Sequence, residues 1–225
     1  MGIISFTAVA LGSLRTNCYI IVNAVTNEAL IVDPAGDFPK LRGAVAASGA
    51  RPVAILLTHG HFDHIGAARE AKVAYGAGVY AAAVEKTLLA NVDMNGSSLF
   101  GDPFTLAADR WITDGGIEGG GAGDSGIVGG GIGTGNILEV AGLRITVIFT
   151  PGHTAGSVCY YFEDENLLFS GDTLFAGGFG RTDLPTGDAS AMAESISSKL
   201  FTLPGETEVF PGHGNATKIA NERHD

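Results

Sequence analysis

Val53-Ala54-Ile55-Leu56-Leu57-Thr58-His59-Gly60-His61-Phe62-Asp63-His64 is the stretch on which the fold turns. Its first five residues are uniformly apolar, which suits a strand buried on both faces. Its last six form an H-x-H-x-D-H pattern. In a tight loop after such a strand, His59 and His61 can turn to one side while Asp63 and His64 turn to the other. One loop then offers donors to two metal positions. Neutral imidazole and carboxylate suit zinc, iron or manganese, and no thiolate cluster competes. The plainer alternative is a helix N-terminus with Asp63 as its cap and solvated histidines. The density of ligand-type side chains favours the metal.

Outward from this stretch the chain repeats one device. Ile3–Val9, Cys18–Val22 and Ala29–Val32 read as short strands, Phe38–Ser48 as a helix stopped by Gly49, and Ile65–Tyr75 as helical. Leu143–Phe149 runs into Pro151-Gly152-His153, Leu167–Ser170 into Gly171-Asp172, and Glu208–Phe210 into Pro211-Gly212-His213. Strands repeatedly deliver a polar residue at their C-terminal ends, where a mixed or parallel sheet places its chemistry. The fold class is therefore α/β. Alone, Asp172 reads as a turn aspartate. Beside five histidines in three motifs, it reads as a carboxylate able to bridge two cations ~3.5–4 Å apart.

With 225 residues, 45% of them hydrophobic and 16% charged, the chain can bury a sizeable core. We expect one domain over residues 1–225. Thirteen Lys and Arg against 24 Asp and Glu leave a formal charge of −11, which disfavours nucleic acid and anionic membrane surfaces as partners. No apolar run approaches the ~20 residues of a membrane span. The N-terminus has no basic stretch before its apolar residues, so it does not read as a signal peptide. Cys18 and Cys159 lie far apart in apolar surroundings and read as buried thiols of a cytoplasmic protein. The oligomeric state is not legible.

One segment stands apart. Between Gly115 and Gly135, twelve of 21 residues are glycine, which predicts a flexible insertion within the domain. The flanking stretches Trp111–Asp114 and Ile137–Val140 read as two strands of one hairpin. A short Asn-Gly turn should then be able to replace the insertion.

The ordered set H-x-H-x-D-H, single His, single Asp, final His resembles the metallo-β-lactamase superfamily over nearly the whole chain. That resemblance implies an αβ/βα four-layer sandwich, two mixed β-sheets face to face with helices on the outer faces. It implies that His59, His61 and His153 bind one metal, that Asp63, His64 and His213 bind a second, and that Asp172 bridges them. Two divalent ions per chain are expected, zinc first, with iron or manganese as alternatives. Asp33 matches an early aspartate that supports the metal loop, and reads equally as a residue stabilising the Asp33-Pro34 turn.

Finer matches at Leu56–His61, Pro151–Ser157 and Gly178–Asp188 resemble compact, single-domain glyoxalase II. The implied reaction is hydrolysis of a glutathione thioester such as S-lactoylglutathione by a metal-bridging hydroxide, with Asp63 and Asp172 at the catalytic centre. Arg181 stands where that family places a basic residue against the glycyl carboxylate of glutathione. Its other reading is a structural ion pair with Asp183. Two departures matter: Asp183 replaces a family tyrosine, and the sequence stops at Asp225 without a C-terminal helical glutathione-binding domain. The nearest alternative is an iron-dependent persulfide dioxygenase of the same superfamily, using His59, His153 and Asp172. A lactonase and a non-catalytic metal-binding scaffold come after it.

Overall fold

The apolar run before His59 lies in a central strand whose side chains enter two cores by turns. Ala54 and Leu56 face one core, Ile55 and Leu57 the other. A computed structural model describes residues 3–100, 102–119 and 136–223. Among these residues the first sheet runs β1 (Ile4–Leu11), β2 (Thr16–Asn23), β3 (Glu28–Val32), β4 (Arg51–Leu56), β5 (Gly78–Ala82), β6 (Arg110–Thr113) and β7 (Gly116–Glu118). Strands β3 to β6 are parallel and the flanking pairs antiparallel. The second sheet runs β8 (Asn136–Val140), β9 (Leu143–Phe149), β10 (Val158–Phe162), β11 (Leu167–Gly171), β12 (Glu208–Pro211) and β13 (Thr217–Lys218). Its β11–β12 pair is parallel and the other pairs antiparallel, so β9, β11 and β12 all end at one edge.

The helices are α1 (Phe38–Ser48), α2 (Phe62–Ile65), α3 (Ala68–Tyr75), α4 (Lys86–Leu89), α5 (Ala189–Ser198) and α6 (Ile219–Glu222). The period-2 alternation of each strand sorts the apolar residues into layers. Leu30, Leu56, Val147, Tyr160 and Phe169 fill the space between the sheets. Ile20, Ile31 and Ile55 pack outward against Leu41 and Val45 of α1 and Ala68 and Ala71 of α3. Cys159, Tyr161 and Leu168 pack outward against Met192 and Ile196 of α5. The result is the two-sheet, four-layer arrangement that the resemblance implied. Cys18 and Cys159 are free thiols in two different outer cores, and burial pushes both thiols up. None of the described helices is long and apolar enough to cross a membrane.

Two expectations need correction. The helix expected over Ile65–Tyr75 is broken into α2 and α3. Gly66 and Ala67 between them press on the β3–α1 turn, where Ala67 N–H donates to Pro34 O and a Cβ on Gly66 would lie 2.2 Å from Ala35 O. Nor do Trp111–Asp114 and Ile137–Val140 form one hairpin. β6 closes on β7 through Asp114-Gly115 in the first sheet, and β8 closes on β9 through Ala141-Gly142 in the second. Ala141 and Gly142 have φ of 56° and 66°, the backbone twist that a two-residue hairpin turn requires. Each strand thus has a partner a few residues away, which loop-closure entropy favours over one beyond the glycine-rich segment. In sequence, that segment runs from β7 of the first sheet to β8 of the second. From residue 120 to 135 the segment lies outside the described residues.

Leu56→Ala removes a fully buried side chain from between the sheets and should cost about 2–5 kcal/mol. Val73→Ala on α3, 80% exposed, should stay within about 0.5 kcal/mol. Urea unfolding of the two variants measures both.

Candidate metal centre

The centre forms where the ends of β4, β9, β11 and β12 meet. The loop after β4 carries His59 and His61, the short helix α2 that follows carries Asp63 and His64, and the turns after β9, β11 and β12 carry His153, Asp172 and His213. Hydrogen bonds between the sheets hold these ends together. Val158 N–H donates to Thr58 O at 2.9 Å, and the Tyr160 hydroxyl donates to Leu57 O at 2.8 Å. Across the site, Asn17 N–H donates to Gly212 O at 2.7 Å and the Tyr19 hydroxyl to Pro211 O at 2.6 Å, which ties the His213 turn to β2. Two glycines permit the close approach. At Gly171 (φ 51°) a Cβ would lie 2.4 Å from Thr58 Oγ1, and at Gly212 one would lie 2.3 Å from Asp172 Oδ1.

The structure brings all seven sequence-predicted donors together. His59, His61 and His153 form one set whose donor atoms lie within 4.8 Å of one another, and Asp63, His64 and His213 form another. Asp172 lies between them: its Oδ2 is 3.6 Å from both His153 Nε2 and His213 Nε2, and its Oδ1 is 3.4 Å from His64 Nε2. His59, His64 and Asp172 make a third set that overlaps the other two.

Hydrogen bonds behind the rings aim them. His64 Nδ1 meets Asp33 Oδ2 at 2.8 Å, and His153 Nδ1 meets the Arg181 carbonyl at 2.7 Å. Both oxygens are acceptors, so each Nδ1 carries a proton and each Nε2 faces the centre. Thr58 Oγ1 donates to Asp33 Oδ2 at 2.6 Å and is thereby left to accept from His59 Nδ1, 3.1 Å away. Asp33, at φ 48°, also accepts from Thr58 N–H. Of its two readings, the support of the metal loop is the one the contacts bear out. Thr16 Oγ1 orients Asp63 from the other side at 2.9 Å.

The donor set fits cations. His59 Nε2, His64 Nε2 and Asp172 Oδ1 are buried with no hydrogen-bond partner, a cost that a shared cation removes. His61 Nδ1 and His153 Nε2 stand 2.9 Å apart, so a proton or a cation must lie between them. Burial, reinforced by the neighbouring imidazoles, holds His59 well below its ordinary pKa and His61 down to about 3, so both rings are neutral donors. Burial also lowers His153. The second set behaves oppositely. Burial opposes charge on His64, but Asp63, Asp172 and Asp33 outweigh it and raise its pKa. Burial likewise opposes ionisation of Asp63 and Asp172, yet His64 keeps both carboxyls below their usual range. Positive charge is thus favoured beside those carboxylates, which is what a divalent ion supplies.

Glu85 went unnoticed in the sequence, as a lone acid in the turn that follows the apolar β5 strand. It is buried, and its oxygens accept from Gly60 N–H at 2.7 Å and Gly156 N–H at 2.9 Å. One carboxylate thereby clips the His59–His64 loop to the loop that follows His153. Burial raises its pKa, against the pull of these bonds. Arg181 sits at the rim, exposed, with Nε and Nη2 each 2.7 Å from an oxygen of Asp183.

Comparison with known proteins points one way. A family model described as the metallo-beta-lactamase superfamily matches residues 11–213. The chain is 38% identical to "Probable metallo-hydrolase YqgX" of Bacillus subtilis (strain 168), covering 94% of this chain and 91% of that protein. It is 30% identical to the hydroxyacylglutathione hydrolase GloC of Haemophilus influenzae, again over 94% and 91%. Among solved structures, BLEG-1 B3 metallo-beta-lactamase superposes with a TM-score of 0.83 at 38% identity, over 97% of this chain and 96% of that one. TTHA1623 in a di-iron-bound form gives 0.77 at 30% identity, over 96% of each chain.

Glu85→Gln would set an amide N–H₂ against a backbone N–H donor. We expect a loss of about 1–3 kcal/mol in chemical unfolding of the metal-free protein.

Proposed function

Because the chain belongs to the metallo-beta-lactamase superfamily, we propose that it is a metal-dependent hydrolase that cleaves small acyl thioesters at its His-rich centre. His59, His61 and His153 would hold one cation, Asp63, His64 and His213 a second, and Asp172 would touch both. The observation that carries this reading is the convergence of two three-residue donor sets on a shared carboxylate, with buried nitrogens left unpartnered. A relative solved in a di-iron-bound form supports two ions. When bound, the cations would polarise a carbonyl and make water acidic enough to act as a nucleophile near pH ~7.

The chain's own residues do the rest. Asp33 and the Arg181 carbonyl keep His64 and His153 in the tautomer that presents Nε2 inward. Thr16 fixes Asp63, and the Glu85 clip holds the spacing of the two loops. A thioester suits such a site. Its thiolate leaves readily because free thiols ionise near ~8.5, so no separate general acid is needed. The likeness to GloC supports S-lactoylglutathione as the first substrate to assay.

Elemental analysis of the reconstituted protein should settle at two ions per chain. One iron per chain, with oxygen uptake on glutathione persulfide, would replace this reading with the dioxygenase. Asp172→Ala should lower thioester turnover at least a thousandfold in a spectrophotometric thiol-release assay and reduce metal content. Unchanged turnover would overturn the bridging role.

A further inference from the structure

The mouth of the centre is chemically one-sided. A cavity of about 400 Å³ lies over the donor sets; Leu14, Phe62, Leu99, Phe100, Phe175 and Leu184 form its apolar walls, and Asn95 and Arg181 are the polar side chains beside them. Phe62 and Phe100 stack at 4.2 Å with 20° between their planes, a flat apolar shelf that begins one residue after His61. Leu99 is 80% exposed, Phe100 56%, and Phe179, on the segment leading to Arg181, 61%. Large apolar side chains left in water around a cavity mark a surface that gains by being covered.

Among the described residues lining this cavity, Arg181 is the one lysine or arginine, and it is engaged. Nε and Nη2 form the planar fork that reads a carboxylate, and both already donate to Asp183. The exposed pair adds little stability. Its effect is on recognition. An incoming carboxylate, whether it displaces Asp183 or takes the remaining Nη1 and Nη2 hydrogens, meets Asp183 beside it as a like charge. The formal charge of −11 acts in the same direction.

Resting on the hydrolase reading above, we infer that the mouth selects uncharged thioesters with an apolar arm, and that Asp183 disfavours carboxylate-bearing thiols such as glutathione. In the reaction, water oxygen bonds to the acyl carbon and the C–S bond breaks with its electron pair on sulfur. One water proton ends on the thiol and the other leaves as the product acid ionises.

Two thioesters sharing a phenylacetyl group, one on N-acetylcysteamine and one on glutathione, test the inference on the metal-loaded chain. Calorimetric binding of the matching unreactive thioethers gives a second readout. We expect kcat/KM and affinity to favour the uncharged member at least tenfold. Asp183→Asn should narrow both ratios at least fivefold by raising the glutathione arm. Equal or reversed preference, or ratios that Asp183→Asn leaves unmoved, would overturn the inference. If neither thioester turns over while the thioethers keep their difference and its dependence on Asp183, the mouth stands and the hydrolase reading falls. If both turn over without preference, the hydrolase reading stands and the mouth falls.

Discussion

Strand ends from two different sheets must stay within hydrogen-bonding reach of each other, or the centre does not exist. Val158 N–H to Thr58 O and the Tyr160 hydroxyl to Leu57 O lock β10 onto the loop that leaves β4. Asn17 and Tyr19 make the reciprocal attachment from β2 to the turn after β12. All four contacts lie at the rim of the inter-sheet core, so burial of Tyr160, Phe169 and Leu56 and placement of the histidines are one event. A packed interior transmits small shifts instead of absorbing them. A change in sheet spacing would therefore reach the donor atoms directly.

Charge imposes the second condition. Seven ionisable side chains are drawn together where water is largely excluded, and burial alone would drive each towards its neutral form. The first set obeys, with His59, His61 and His153 held neutral. In the second, three carboxylates around His64 reverse the trend. Asp33 and Glu85 sit outside both sets yet decide them. Asp33 fixes a ring nitrogen and a hydroxyl together, and Glu85 ties two loops by accepting from a backbone N–H of each. Neither would hold a cation, but each keeps polar groups satisfied at a distance that leaves the inward lone pairs unspent.

The mouth adds a third condition, set by side chains other than the donors. Its shelf of Phe62 and Phe100 and its closed Arg181–Asp183 pair involve no metal donor. Relatives could therefore share every donor and still differ in what they admit, since fold and centre do not determine the arm of the substrate.

Much of this was legible in the chain. H-x-H-x-D-H after an apolar run, and three further strands ending on His, Asp and His, point to the donors because ligand chemistry is local to a loop. The α/β class follows from strands and helices whose patterning is local too, and α1 occupies the span its flanking signals define. What local pattern could not decide was partnership. The pairing of β6 with β7 and of β8 with β9 depends on which short closure competes best. The reach of Asp33 to His64 and the clip made by Glu85 join residues by geometry that only the packed sheets create, whereas the exposed Arg181–Asp183 pair is a contact between near neighbours in the chain that the sequence already offered. Residue types set which bonds can be made; burial and distance, known only once the sheets close, select which are.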